Sequence, residues 1–422
     1  MTFSPTYKTP SISIRKTPCR DLTLESSQKI LNLKAHPSSH IPDFGLFTFT
    51  MHAGGINRQF LTWIICMESG PAFCSIGRDW RSRIGDSHDY AIIRNDTVFR
   101  TSFHDSWVWE SRYAAAREDL ARLMEIHKGM ALEDLFQGGE CETYEGTCYC
   151  IRSGQPLDLR EIGHKMVHDK LSCDLTLVYG IGKKKERELK EKGFHTIADL
   201  TRHRHFGKSA SETLRVLSGE PESITGLVSR WHSPSHPLTF LTSGLYRNRD
   251  LLFIDLETLG FFSRPIILFG LAEVREGHLR ISQYLIRSMD EELPSLSAVH
   301  EILGEDRVIV SFNGKSFDIP YLAERSAYYG RPARIGNPHY DLLAFSRRQW
   351  KNRFQDCRLC TLEKNLLGIE RRGDIPSAMV PEFYEAFLTS GNPGPLYPIV
   401  THNRQDLVSL ALLFGLMQGV PA

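Results

Sequence analysis

The feature that most constrains this chain is a short apolar run that ends in two acids. Leu251–Ile254 are followed directly by Asp255, Leu256 and Glu257. Alternate residues of a strand point to the same face, so the two carboxylates lie on one side of an extended segment. An exposed, solvated pair is one interpretation. The apolar run instead indicates a buried strand, in which paired acids are costly unless a cation compensates them, and a hard divalent ion takes oxygen ligands of this kind.

The apolar runs that follow predict a layered α/β arrangement. Two further stretches, 266–274 and 279–286, are separated by turn residues and have the composition of strands. The pattern then alternates between a helix at 291–303, a strand at 308–312 and a helix at 318–329. Three adjacent strands followed by alternating helix and strand are typical of a sheet that is flanked by helices.

Two more acids stand at the boundaries of predicted elements. A turn through Asn313 and Gly314 precedes Asp318, which begins a helix, and a simple helix cap is the competing interpretation of that acid. Near the C-terminus, His402 and Asp406 are four residues apart and share a helix face, as a surface pair would also do. The segment 397–401 predicts a turn that places His402 at or before the first helical residue.

Together these segments resemble the three exonuclease motifs of the DEDD superfamily of ribonuclease H-like 3′–5′ exonucleases. The resemblance covers roughly residues 250–418, and it is closest to the predicted ribonuclease H-like exonucleases of many bacteria, through the phrases SFNGKSFDIPYL, HYDLLAFSRRQW, CTLEKNLLGIERRGDIP and HNRQDLVSLALL. It implies that two Mg²⁺ or Mn²⁺ ions are held by Asp255, Glu257, Asp318 and Asp406, with His402 as general base. One departure is that His402 lies four residues before Asp406, whereas the histidine-type members have a spacing of five.

Basic residues near these motifs are candidates for contacts with a phosphate backbone. Lys315, Arg347 and Arg348 carry positive charge within the phrases that support the resemblance. A solvated basic face is the alternative interpretation of all three. Asp341, in HYDLL, is expected to have a supporting or structural role.

A second resemblance precedes this domain. The segment Val178-Tyr179-Gly180-Ile181-Gly182 is similar to the hairpin of helix-hairpin-helix DNA-binding modules, and it is followed by Lys183, Lys184 and Lys185. Residues 174–208 contain nine Lys or Arg and five Asp or Glu, a net charge of +4, although the whole chain has a formal charge of only +1. Glycines allow a tight turn and close approach to a phosphate, so the resemblance implies that Gly180, Gly182 and the three lysines contact the DNA backbone without sequence specificity. A helix pair used only for packing or protein contact is the alternative.

The predicted organisation is a multidomain α/β protein. Its C-terminal part is a ribonuclease H-like mixed β-sheet flanked by helices, preceded by a small all-helical module and an N-terminal α+β region. The expected parts are a disordered tail at 1–40, an α+β domain of unknown role at 41–165 with strands at 60–66 and 90–93 and a helix at 110–129, the helix-hairpin-helix module at 166–232, a linker at 233–248 and the exonuclease domain at 249–422.

The function that these resemblances imply is divalent-metal-dependent 3′–5′ hydrolysis of phosphodiester bonds in DNA, at a single-stranded end, a duplex or a junction, with RNA left open as a substrate. The alternatives are a ribonuclease H-like endonuclease or structure-specific nuclease, and an inactive nucleic-acid-binding adaptor, which the presence of all four carboxylates disfavours. The longest apolar run near the C-terminus, 410–417, is too short for a membrane span of about 20 residues. Nine scattered cysteines are typical of a reducing compartment. We therefore expect a cytoplasmic, bacterial protein with no membrane partner.

Overall fold

A seven-stranded mixed sheet organises the described part of the chain. The computed structural model describes residues 103–419 except 261–263, 305, 372 and 374, with side chains from residue 113 onward, so the predicted tail at 1–40 and the strands at 60–66 and 90–93 lie outside the described residues. The order along the sheet is β1-β2-β5-β4-β3-β6-β7. The strands are β1 (Gly138–Thr143), β2 (Gly146–Pro156), β3 (Leu251–Thr258), β4 (Ile266–Arg275), β5 (His278–Leu285), β6 (Val308–Ser311) and β7 (His339–Asp341).

Helices cover both faces of the sheet and form a separate cluster before β3. None of them, in the described residues, is long and apolar enough to cross a membrane. The helices are α1 (Phe103–Ile126), α2 (Leu132–Leu135), α3 (His164–Ser172), α4 (Lys183–Glu191), α5 (Ile197–Leu200), α6 (Gly207–Leu217), α7 (Pro221–Trp231), α8 (Pro237–Leu241), α9 (Glu292–Leu303), α10 (Asp318–Tyr328), α11 (Leu342–Trp350), α12 (Leu359–Leu362), α13 (Val380–Ser390) and α14 (Leu396–Gly419).

β3 is an interior strand of the sheet, and both of its faces are apolar. Leu251 and Phe253 pack into a core with Phe414 of α14, while Leu252 and Ile254 pack into a second core on the opposite face of the sheet. The strand runs antiparallel to β4 and parallel to β6. A strand that is buried on both faces appears in a sequence as an uninterrupted apolar run, and the predicted mixed sheet with flanking helices is confirmed.

Two strands from before the predicted boundary at residue 249 belong to this same sheet. β2 pairs antiparallel with β5 from Tyr149 to Pro156, and β1 completes the edge. The middle of β2, from Cys148 to Ile151, is buried. The structure therefore differs from a scheme in which residues 41–165 form a domain of their own. Local periodicity did not reveal this pairing, because β2 and β5 are more than 120 positions apart in the chain.

The segment 233–248 also differs from the open linker that its Ser and Pro residues predict. It forms the short helix α8 and a 3₁₀ turn at Thr242–Leu245. Phe240 packs against Phe345 and Phe414 of the sheet domain, with ring centroids 5.0 and 5.5 Å apart. Leu241 and Leu245 instead join the core of the preceding helices. The segment 233–248, called the connector below, thus packs into two cores through the apolar residues after Pro237.

The helices α3 to α7 enclose a small core of their own. Val167, Leu171, Leu189 and Ile197 are almost fully buried in it. Gly180 adopts a φ of +85°, which a glycine accepts without strain, and Gly182 is the residue that precedes α4. The predicted hairpin segment is therefore a turn between helical elements, with three lysines in the first turn of the helix that follows.

The last helix begins earlier than the sequence predicts. α14 starts at Leu396, so 397–401 is helical and the expectation that His402 lies at or before the first helical residue is wrong. Pro398 is tolerated because the first turn of a helix has no carbonyl partner for its backbone nitrogen. His402 consequently lies in the second turn of a regular helix.

Candidate functional site

Asp255 lies near the end of β3 and is held in place from α14. The side-chain nitrogen of Asn403 donates hydrogen bonds to Oδ2 and to the backbone oxygen of Asp255, at 2.8 and 3.0 Å. Gln283 of β5 donates to Oδ1 of Asn403 at 2.8 Å. Gly270 of β4 lies opposite Asp255, and a Cβ at that position would be 2.2 Å from Oδ1 of Asn403. Because Gly270 has no side chain, β4 leaves space for the amide of Asn403 that orients Asp255.

Asp318 is the first residue of α10, and its carboxylate is buried against β3. Its Oδ1 accepts a hydrogen bond from the backbone nitrogen of Leu256 at 3.0 Å. The helix-capping position belongs to Phe317, so the side chain of Asp318 bonds to the strand between the two acids of β3 instead of serving as an ordinary N-cap.

The turn before Asp318 is fixed by another acid. Asp341, at the end of β7, accepts hydrogen bonds from the backbone nitrogens of Asn313 and Lys315, at 2.8 and 3.1 Å. It also caps α11 through the nitrogen of Leu343. Asn313 has a φ of +70°. These contacts fit the structural role expected for Asp341.

His402 and Asp406 occupy one face of α14, beside the acids of β3. Nε2 of His402 is 3.5 Å from Oδ2 of Asp406 and 3.9 Å from Oε1 of Glu257. The shared helix face that the four-residue spacing predicts is therefore present. The same arrangement places the histidine between an acid from the strand and an acid from the helix.

The four acids influence one another strongly. Burial, and then the negative charges of Asp406, Glu257 and Asp318, raise the pKa of Asp255 well above its ordinary value. Burial also raises the pKa of Asp318 to about 7, even though backbone hydrogen bonds oppose the shift. The structure thus brings all four predicted carboxylates into one partly buried region where a cation would relieve their repulsion.

A buried acid and an arginine that sequence reasoning missed complete this region. The guanidinium of Arg371 donates to Glu363 at 2.6 and 2.7 Å and also donates to Oδ1 of Asp406. The side chain of Glu363 is fully buried and accepts a hydrogen bond from the hydroxyl of Ser409. Burial raises the pKa of Asp406, whereas His402 and Arg371 act in the opposite direction. Arg371 therefore neutralises Glu363 and supplies part of the positive charge that Asp406 requires.

Arg371 also restricts the protonation of His402. Its Nη1 is 3.2 Å from Nδ1 of the ring. A guanidinium has only donors, so Nδ1 is the acceptor and a neutral ring carries its proton on Nε2. In this arrangement the Nε2 proton faces Glu257 and Asp406.

The chemistry of the donor set fits a hard divalent cation. Carboxylate oxygens are the ligands that Mg²⁺ and Mn²⁺ take, and the pKa values of Asp255 and Asp318 are raised, first by burial and then by the neighbouring acids. Within the described ranges, however, no group of three or more His, Cys, Asp or Glu side chains converges in the way that metal ligands do. In this conformation Asp406 is turned to Arg371.

The predicted basic residues lie elsewhere. Lys315 is exposed on the turn before α10, and Arg347 and Arg348 are exposed on α11. Arg348 lies close to His236, whose pKa falls to about 4 because of burial, the neighbouring His232 and the charge of Arg348. The described structure does not bring these two arginines into the carboxylate cluster. Gly180, Gly182, Lys183, Lys184 and Lys185 form an exposed surface on the helical cluster.

Comparison with known proteins agrees with this architecture. A protein of Bacillus subtilis (strain 168), the uncharacterized protein YprB, is 30% identical over 219 residues, which are 50% of this chain and 49% of that protein. The chain therefore spans about half the length of this curated relative. Residues 252–418 match the family model RNase_H_2, of the RNase H superfamily, and they include β3 to β7 with all four carboxylates. This part of the chain is thus a domain of the ribonuclease H superfamily.

Proposed function

We propose that this domain is a divalent-metal-dependent nuclease that hydrolyses DNA from its 3′ end, with two ions held by Asp255, Glu257, Asp318 and Asp406. The observation that supports the proposal most strongly is the clustering of these acids, which together with the burial of Asp255 raises the pKa of Asp255 well above its ordinary value. Membership of a superfamily whose members are generally nucleases supports it independently. Four bare carboxylates would repel a phosphodiester, and metal ions reverse the sign of that interaction.

Different residues of the chain orient the acids and accept the proton. Asn403 and the backbone nitrogen of Leu256 orient two of the acids. Bound Mg²⁺ or Mn²⁺ would supply activation of a water and stabilisation of the leaving oxygen. His402 would accept the proton of that water at Nε2. This role requires that a neutral ring carry its own proton on Nδ1, and it therefore requires that Arg371 move off that nitrogen.

DNA is the proposed substrate because of the helical cluster before the nuclease domain. Lys183, Lys184 and Lys185 occupy the first turn of α4, where the helix end itself favours an anion. Arg348 of the nuclease domain and Lys183 both lie close enough to His236 to lower its pKa. Basic residues of the helical cluster and of the nuclease domain therefore both act on His236 of the connector, and the charge of Asp174 opposes them.

The test of activity uses the full chain and an end-labelled DNA strand. We expect cleavage with Mg²⁺ or Mn²⁺, none with EDTA, and at least a hundredfold slower cleavage by the Asp255→Asn and Asp318→Asn variants. Glu301→Gln is the matched control, because Glu301 is an exposed acid on α9. Equal rates for the wild type and both site variants would exclude this site.

The polarity of cleavage needs its own substrates. A blocked 3′ end should protect the strand, whereas a blocked 5′ end should not, and mononucleotides should accumulate. Internal cuts in a circular single strand would instead identify an endonuclease, and this outcome would overturn the exonuclease part of the proposal while leaving the metal site intact.

A further inference from the structure

Two large aromatic side chains form an exposed surface beside the hairpin at 180–182. Tyr179 is 75% exposed and Trp231 is 40% exposed. Their ring centroids are 6.1 Å apart and the planes are inclined by 55°. Single exposed apolar residues are common on protein surfaces, but here two rings from separate elements are in contact and remain open to solvent.

The local fold explains why Tyr179 faces outward. Its neighbours Val178 and Ile181 are almost fully buried in the core of the helical cluster. Gly180 turns the backbone between them with a φ of +85°. Trp231, the last residue of α7, supports the tyrosine from the side. Because the two planes are inclined, the rings do not form a parallel sandwich, and the exposed tyrosine is left able to receive a flat ligand.

Exposed cations that adjoin the two aromatic residues in the sequence indicate the ligand. Lys183, Lys184 and Lys185 are exposed immediately after the hairpin, and Arg230 is exposed next to Trp231. Lysines in the first turn of a helix oppose the helix dipole. The three lysines therefore destabilise the N-terminus of α4, and a bound anion would offset this destabilisation. Aromatic faces beside a row of cations are the combination that binds single-stranded nucleic acid, with bases stacked on the rings and phosphates near the cations.

We propose that Tyr179, supported by Trp231, stacks against an unpaired nucleobase, so that the helical cluster recognises a single-stranded end or a duplex-to-single-strand junction. This inference rests on the proposed function as a nuclease acting on DNA and names the part of the substrate that the helical cluster holds. An unpaired base differs from a duplex in offering its ring face, whereas the lysines contact phosphates in either form. Contacts to the phosphate backbone do not distinguish paired from unpaired DNA. The aromatic surface therefore adds a preference for unpaired DNA.

The test compares a blunt duplex with two overhang probes that differ from each other only in the unpaired bases. Fluorescence anisotropy would measure the affinity of the full chain for each probe, with EDTA present to prevent cleavage. The probes are a blunt duplex, the same duplex with a six-nucleotide overhang, and the duplex with that overhang made abasic. We expect the wild type to bind the base-bearing overhang about tenfold more tightly than the abasic one. Tyr179→Ala should abolish this difference without changing affinity for the blunt duplex, and Tyr179→Phe, which keeps the ring, should preserve it.

Trp231→Ala provides a second variant at the same surface. It should reduce the preference for base-bearing DNA, and circular dichroism would verify that α7 remains folded. Equal binding of the two overhangs by the wild type, or an unchanged preference in Tyr179→Ala, would overturn the inference. Competition by an acidic peptide that displaces DNA only when Tyr179 is present would overturn it in favour of a protein partner. If DNA is still cleaved while the preference is missing, only the stacking inference fails; if no probe binds and no DNA is cut, the proposed function fails.

Discussion

Asn403 connects two strands of the sheet to the predicted metal ligand Asp255. It receives a hydrogen bond from Gln283 of β5 and donates to Asp255 of β3. Its neighbours His402 and Asp406 were recognisable from their spacing, but Asn403 was not. Its partners lie 120 and 148 positions away in the chain, and only the folded sheet brings them together. Arg371 and Glu363 were also missed, because their partners on α14, Asp406 and Ser409, lie 35 and 46 positions away.

The steric requirement at Gly270 yields a prediction at this scale. An alanine at position 270 places its Cβ 2.2 Å from Oδ1 of Asn403, so the buried amide has to move and Asp255 loses its orientation. We expect Gly270→Ala to slow metal-dependent cleavage at least tenfold, measured under single-turnover conditions. Gly139→Ala is the matched control, because a Cβ on that strand glycine has nothing within 4 Å. Wild-type turnover in Gly270→Ala would show that Asn403 does not govern the site.

The base role proposed for His402 gives a second prediction. General-base catalysis contributes roughly 10²–10⁴-fold to an enzymatic rate, so His402→Ala should lower turnover at least tenfold while DNA affinity changes little. The wild-type rate should also rise with pH through a titration that is absent from the variant. Near-normal turnover of His402→Ala between pH 6 and 9 would mean that the histidine only accompanies Asp406 on the helix.

At the scale of elements, local sequence patterns predicted the positions of individual strands and helices. The strands β3 to β6 and the helices α9 and α10 agree with their predicted positions to within a few residues, because apolar runs and turn residues lie within each segment. The addition of β1 and β2 to the sheet and the burial of the connector were not predictable in this way. Both depend on pairing between distant segments. The start of α14 was also missed, because Pro398 is tolerated in a first turn but reads as a helix breaker.

The junction of β6 and β7 carries a pH-sensitive contact. His339 lies 2.7 Å from the hydroxyl of Ser311, which also accepts a hydrogen bond from the nitrogen of Gly314 in the turn before Asp318. Burial, with a smaller contribution from the charge of Lys315, lowers the pKa of His339 to about 3. The folded protein therefore keeps this ring neutral at pH values where an unfolded chain binds a proton.

The consequence is a loss of stability toward acid. Below the ordinary histidine pKa of about 6.5, His339 binds a proton in the unfolded state but not in the folded state. The free energy of unfolding therefore falls until the pH reaches the pKa of His339 in the folded state. Between pH 7.5 and 5.5 the wild type should lose about 1 kcal/mol more than His339→Gln, as measured by urea unfolding. Parallel losses in the two proteins would show that His339 titrates normally in the folded state.

At the scale of the whole described unit, the connector joins the helical cluster to the ribonuclease H-like domain. Phe240 belongs to the core of the sheet domain, while Leu241 belongs to the core of the helical cluster. The hydroxyl groups of Thr242 and Tyr340 are also 2.8 Å apart across this junction. The surface proposed to hold DNA is therefore joined through packed side chains to the domain proposed to cut it.

This attachment predicts coupled stability. Phe240→Ala leaves a cavity that typically costs about 3–5 kcal/mol. Hydrogen exchange should become at least tenfold faster in amides of both α3 and β3, because the connector packs into the separate cores that restrain these two elements. Ser235→Ala, at a partly exposed position of the same segment, is the control. Faster exchange in only one of the two elements would show that the connector does not couple them.

The central claim is that the four carboxylates form a divalent-metal site, and direct binding of Mn²⁺ tests it without reference to any substrate. Isothermal titration of the full chain should reveal two Mn²⁺ ions per chain, with affinity that falls at least tenfold in Asp255→Asn and in Asp318→Asn and is unchanged in Glu301→Gln. The affinity should rise with pH, because protons compete with metal for acids whose pKa values are raised. Mn²⁺ binding that is absent from the wild type, or equal in the wild type and the two site variants, would contradict this account.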